Sequence, residues 1–198
     1  MDARKMDKIQ AAVRETVLAH AALGEEALAA AGGAATVPAL IDALEGAGFL
    51  VEATRCFAHA LPRREAVWWA AMCARHTAPA DLAETGRATL DAVELWVRQQ
   101  NEEGRRAAMS RAEAIGFQTP EAWAAVAAFW SGPSISPPDQ PPVPPPAHLT
   151  GVAVAGAVAL AAVRGDAQRG PARLALFLRS AREIAAGGVG RLPPEAEQ

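Results

Sequence analysis

Aromatic residues make up only 5% of this 198-residue sequence, and β-branched residues are sparse as well. Strands favour broad or branched side chains on a pleated surface, so the shortage argues against a sheet. There are two cysteines, Cys56 and Cys73, both in apolar contexts where cysteine serves as a small buried hydrophobe, so a disulfide framework is not expected. Lysine is confined to Lys5 and Lys8 against seventeen arginines, a balance expected from a GC-rich genome. The longest apolar run, Val152 to Val163, is too short and too rich in alanine to span a bilayer. The start, MDARKMDKIQAAVRETVLAH, is charged and amphipathic and has no apolar h-region, so no secretory signal is expected. The expected location is the cytoplasm, without a membrane partner. Missing too are a Gly-x-Ser-x-Gly elbow, a Walker loop, an HExxH pair and a dinucleotide fingerprint, and the glycines of GVAVAG have no strand before them. No catalytic residue, metal ligand or cofactor is expected.

What is present is helix. Apolar residues make up 51% of the chain, enough for a real core, and alanine, the best helix former, dominates them. The pattern predicts a first helix over about residues 4–22 with the stripe Ile9, Val13, Val17, Leu18 and Ala21. After the break at Gly32-Gly33, Thr36 caps a short helix, and another runs from Phe49 to Pro62. Pro62 opens RREAVWWAAMCARH, which is apolar nearly all round. A helix without a polar face is buried on most sides, with Trp68 and Trp69 filling two directions of the packing. Asn101 and Thr119 read as caps of two further helices, and Gly116 as a stop between them. Residues 148–164 and a segment opened by Pro171 complete the set. The fold class is all-α: an irregular bundle or short α-solenoid of about eight or nine helices, with no repeated key residues to fix a period.

One segment cannot be helical. Eight prolines lie between Pro133 and Pro146 in SGPSISPPDQPPVPPPAHLT, and each lacks a backbone donor and disfavours helix in the residue before it. The organisation expected is therefore one all-α domain over 1–198. Its connector spans 131–147, a helical pair at 148–186 docks back, and a frayed, flexible tail covers 187–198. PPVPPP favours polyproline II, a shape that aromatic-lined grooves recognise. Candidate partner-binding residues are Pro141, Pro142, Val143, Pro144, Pro145, Pro146 and Trp130. The competing expectation is a strap packed over Trp123 and Trp130, which the apolar Ile135 and Val143 favour.

The remaining polar patterns have plain explanations. The pairs Cys56/His59 and Cys73/His76 repeat Cys-x-x-His on consecutive helices, and each pair shares one helix face. A hairpin hinged at Leu61-Pro62 would set the second pair one to three turns too far down, so buried thiols and helix-end histidines are expected. The alternative is a metal-binding domain or enzyme using those four residues. His20 and His148 are isolated in sequence. Arg63-Arg64 and Arg105-Arg106 sit near helix starts, where a cation is mildly unfavourable, and are expected to be solvent-exposed. Residues 24–52 carry five acids and no base, whereas 164–191 carry six arginines against Asp166 and Glu183. Solvated helix faces account for such asymmetry. The net charge of −3 does not suggest a nucleic-acid partner, and that option would rest on Arg173 and Arg179.

FAHALPRREAVWWAAMCAR (57–75), the helix ending AAFWSG (127–132) and PPVPPPAHLTGVAVAGAVALAA (141–162) together resemble an uncharacterised bacterial family. The likeness covers about residues 50–165. Some members of that family resemble accessory proteins encoded near type VI secretion loci, and the resemblance implies no catalytic residue. Together these observations point to a non-catalytic adaptor or accessory protein that works by surface recognition of a protein partner. Neither the partner nor the oligomeric state follows from the sequence.

Overall fold

The computed structural model describes residues 6–196. Among them are ten α-helices, two short 3-10 turns and no strand. In chain order the helices are α1 Arg14–Ala21, α2 Glu25–Ala31, α3 Val37–Gly46, α4 Leu50–Ala60 and α5 Arg63–His76. They continue with α6 Glu84–Gln99, α7 Glu102–Ile115, α8 Pro120–Trp130, α9 Leu149–Val163 and α10 Gly170–Ala185. The architecture is an irregular helical bundle.

Local capping chemistry sets several of these boundaries. Thr36 and Thr119 accept from the backbone N–H three residues on, each at 3.3 Å, and Pro follows one or two positions later. Asn101 does the same for Gly104 at 2.7 Å. Gly116 ends α7 with φ of 75°, a backbone region open mainly to glycine.

The packing hub is α9, which follows the proline-rich segment and lies against α8, α5, α4 and α10. Its sequence LTGVAVAGAVALAAV has no charged residue, and the small side chains let four neighbours approach closely. Gly156 receives the Trp123 ring, whose nearest atom would lie 3.7 Å from an added Cβ. At Gly151 an added Cβ would collide with the His59 ring. The second apolar helix, α5, buries Trp69 completely, while Trp68 is half-buried, so only one of the paired tryptophans is a core residue.

The two ends depart from the sequence reading. The single helix predicted over 4–22 is instead a 3-10 turn at Asp7–Ile9 followed by α1, with Val13 extended between them. Met6 and Ile9 are buried, with Arg182 of α10 reaching the Met6 sulfur at 3.7 Å, whereas Val13 is 59% exposed. A continuous stripe would have needed Ile9 and Val13 on one buried face. Residues 4 and 5 of that predicted helix lie outside the described residues.

The tail expected to fray is tied down over 187–196. Trp68 Nε1 donates to Val189 O at 2.7 Å, Ser180 Oγ to Gly190 O at 2.6 Å, and Glu195 N to His76 O at 2.8 Å. Arg173 and Arg169 each hold the Glu195 carboxylate at 2.7 Å. Gly190, at φ of 61°, packs so closely on Ile184 that a Cβ would collide with it. The remaining residues of the predicted tail, 197 and 198, lie outside the described residues.

The charge asymmetry is partly internal. Arg182 of the arginine-rich segment pairs with Asp42 at 2.7 Å and also with Glu45, joining α10 to α3. No single helix among the described residues is long and apolar enough to cross a membrane; α9 with the segment Ala167–Ala185 has the composition but bends by 117°.

Candidate functional site

The proline-rich connector is a folded loop held by α7. Eight prolines leave the segment with many carbonyls and few donors, and backbone polar groups that leave water need partners. The donors come from two serines and two arginines. Ser136 Oγ donates to Pro141 O at 2.7 Å, which consumes its single hydroxyl proton. Ser134 must therefore be the donor in the 2.8 Å contact between the two hydroxyls. Both serine oxygens accept from Val143 N, at 3.0 and 3.2 Å, and Ile135 N donates to Val143 O at 2.8 Å. The strip thus doubles back, with a turn closed by Gln140 N to Pro137 O at 3.1 Å at its tip.

Arg105 and Arg106 fasten this turn to the bundle. Arg105 is buried, with Nη2 donating to Ser134 O at 2.6 Å and to Glu102 Oε1 at 2.7 Å, and Nη1 to Phe129 O. Its guanidinium also lies over the Phe129 ring, 4.7 Å from the centroid. Arg106 donates to Ser136 O at 2.8 Å and to Glu102 at 2.7 Å. Hydrogen bonds from Arg105 hold the Glu102 carboxyl below its ordinary pKa. The expectation of an exposed pair is therefore corrected for Arg105: cations near a helix start are stabilised here by loop carbonyls and by Glu102 in the same turn. Gly132 is required where the chain leaves α8, since a Cβ there would collide with the Arg105 side chain.

Of the candidate partner-binding residues, Pro141, Pro142, Val143, Pro144 and Pro146 are exposed. Pro145 is buried and offers no free face, and Trp130 is half-buried. The expectation that the apolar Ile135 and Val143 pack down is corrected. Ile135 and Val143 are 36% and 51% exposed, and the connector is hydrogen-bonded to the bundle by Arg105 and Arg106 of α7 and by Arg63 of α5, which donates to Ser131 O at 3.3 Å. Trp123 and Trp130 pack on each other edge-on at 6.3 Å, and Thr150 Oγ1 donates to Trp130 O at 3.1 Å, closing the loop's base.

The four residues of the Cys-x-x-His pairs serve separate surroundings. Both thiols are fully buried; burial pushes Cys56 up to about 12 and raises Cys73 as well, so neither is a thiolate near neutrality. His76 contacts Pro193 O through Nδ1 and meets the Phe177 ring edge-on. His59 instead joins His20 and His148, with ring centroids 5.7 Å apart for His20–His59 and 4.6 Å for the stacked His20–His148 pair. Among the described residues no group of three or more His, Cys, Asp or Glu side chains is placed to hold a metal ion. Arg173, one of two arginines considered for nucleic acid, is buried and bonded to Glu195, Ala162 O and Arg164 O.

The three histidines come from α1, α4 and the residue before α9, and their convergence has a measurable consequence. Burial lowers the pKa of His59 to about 4, with the charges of His20 and His148 adding to the effect. An unfolded histidine titrates near 6.5, so between those values the unfolded chain binds more protons and stability falls as pH drops. After discounting for the partly exposed ring, the expected loss between pH 7 and pH 4.5 is roughly 1–2 kcal/mol. Urea denaturation of wild type and His59→Gln at both pH values checks it; the same acid loss in both proteins would exclude His59 as the source.

An all-α bundle displaying a rigidly tied proline loop is the class these features define. The chain belongs to a family of unknown function, DUF6931, whose model matches residues 40–185. That span takes in the loop, its arginine anchors and the hub helix. No curated protein and no solved structure shows significant similarity to the chain.

Proposed function

We propose that this chain is a non-catalytic interaction protein of the bacterial cytoplasm, an adaptor or accessory whose docking element is the exposed crest of the proline loop. Its proposed setting is a type VI secretion system, on the resemblance to proteins encoded near such loci. The observation that carries the docking role is the pairing of exposure with rigidity. Pro141, Pro142, Val143 and Pro144 face solvent while the backbone beneath them is fixed by Ser134, Ser136, Arg105 and Arg106. A partner groove meeting such a crest has little loop entropy to remove, which is how proline-rich ligands gain affinity from few contacts.

The test uses the triple variant Pro142→Ala/Val143→Ser/Pro144→Ala, which keeps the Val143 N–H and its serine partners. A protein recovered by crosslinked pull-down from the native host is purified and its affinity measured for both forms. The expected result is about a tenfold or greater rise in Kd for the variant. Equal affinity of the folded variant, or no reproducible partner, would overturn the proposal.

A further inference from the structure

Two of the arginine-lined cavities of the bundle differ in how their arginines are used. The larger, about 700 Å³, lies between the turn after α5 and the start of α10. Its Arg164, Arg169 and Arg173 are each paired, with Glu121 at 2.5 Å and with Glu195 at 2.7 Å for the other two. With Asp81 and Asp166 also on its wall, those charges are balanced within the fold and carry nothing further.

The smaller cavity, about 240 Å³, opens where the first half of α5, the end of α6, the end of α10 and the tail meet. Lys8, Arg64, Arg98 and Arg191 line it against a single carboxylate, Glu65. Lys8 takes that carboxylate at 2.8 Å, and Arg98 pairs with Glu94 on its own helix at 3.2 Å. Arg64 donates to a carbonyl, Val97 O at 2.8 Å, and Arg191 lies over the Trp68 ring, 5.9 Å from its centroid. Among the described residues neither Arg64 nor Arg191 has a carboxylate within ion-pair distance. Two guanidinium groups on one concave surface, with its one carboxylate already paired to Lys8, are an anion site in chemical terms.

The rest of the lining specifies more than charge. Trp68 has its indole N–H satisfied by Val189 O, which fixes the ring, and Val97, Ile184 and Val189 give the cavity apolar walls. Flat aromatic surface beside guanidinium groups suits a ligand with an apolar, planar body and an anionic head. The tail is needed to build the wall, because Gly188, Val189 and Arg191 all line the cavity.

We propose that this cavity binds a small organic anion, a carboxylate or phosphate ester on a planar apolar body, with Arg64 and Arg191 taking the charge and Trp68 the body. This site is independent of the docking role of the proline loop. The test is a titration of the full chain with phenyl phosphate, read by the indole N–H resonance of Trp68 in a nitrogen-15 spectrum and assigned through Trp68→Phe. The expected result is a saturable shift of that resonance. Phenol, lacking the charge, and inorganic phosphate, lacking the body, should each bind about tenfold or more weakly, as should phenyl phosphate with Arg191→Gln. Among the described residues Arg191 makes no hydrogen bond and touches Trp68 only over its ring, while Val189 O keeps that ring fixed, so replacing Arg191 should leave the scaffold intact. No saturable shift, equal binding of phenol, or unchanged affinity in Arg191→Gln would each overturn the proposal.

Discussion

Replacing Arg105 with methionine should destabilise the fold by about 2–3 kcal/mol, although the residue sits in the first turn of a helix where arginine is ordinarily a weak contributor. The side chain is 2% exposed, so its guanidinium depends on Glu102, Phe129 O and Ser134 O for all of its hydrogen bonds. Methionine fills the volume and removes every donor. Glu102 is 49% exposed and keeps Arg106, so its loss is modest. The main cost falls on the carbonyl of Ser134, at about 1–3 kcal/mol for a buried acceptor left unpaired, while the carbonyl of Phe129 keeps the Gly132 N–H at 3.4 Å and loses less. For a chain of this length the melting temperature should fall by about 10 °C. Arg105→Lys should recover only a part, since an ammonium cannot reach three acceptors with the geometry of a planar fork. The loop supplies a local readout as well: the amides of Ile135 and Val143 should lose hydrogen-exchange protection first. A variant that melts with wild type and keeps those amides protected would show that the serine network holds the loop without α7.

Truncating Trp69 to alanine should cost about 3–5 kcal/mol, for a different reason. Trp69 is fully buried, lies 6.1 Å from the Phe57 ring of α4 and donates from Nε1 to Phe177 O of α10 at 2.9 Å. The carbonyl of Phe177 lies within α10 and keeps its helical partner, so the lost hydrogen bond is the smaller contribution. The cavity left among three helices is the larger, because helix backbones cannot collapse into it. Trp68→Ala removes a ring of the same size from a half-buried position and should cost distinctly less. Chemical denaturation of the two variants side by side checks the difference; equal losses would contradict the assignment of Trp69 as the core member of the pair.

The adjacent tryptophans also mark where sequence reading stops. Helical geometry places them about 100° apart, which is local and legible. That one faces the core and the other a cavity depends on where α10 and the tail pass. The caps at Thr36, Asn101 and Thr119 were legible for the same local reason: a side chain reaches a backbone N–H three residues away whatever the rest of the fold does. The proline loop was legible as non-helical because proline forbids the alternative. Its anchorage to α7 was not, since Arg105 lies 29 residues from Ser134 and no periodicity links them.

Alanine content, helix-period stripes, caps and proline together determined an all-α chain with one interrupted segment. Tertiary structure alone decided that three histidines remote in sequence would meet, that the tail would bind through Glu195 and Val189, and that Arg64 and Arg191 would share a cavity whose one carboxylate, Glu65, is taken by Lys8. Secondary structure follows from the conformational preferences of neighbouring residues. The meeting of distant side chains follows from how whole helices fill space against one another, a choice made by the summed packing of the core.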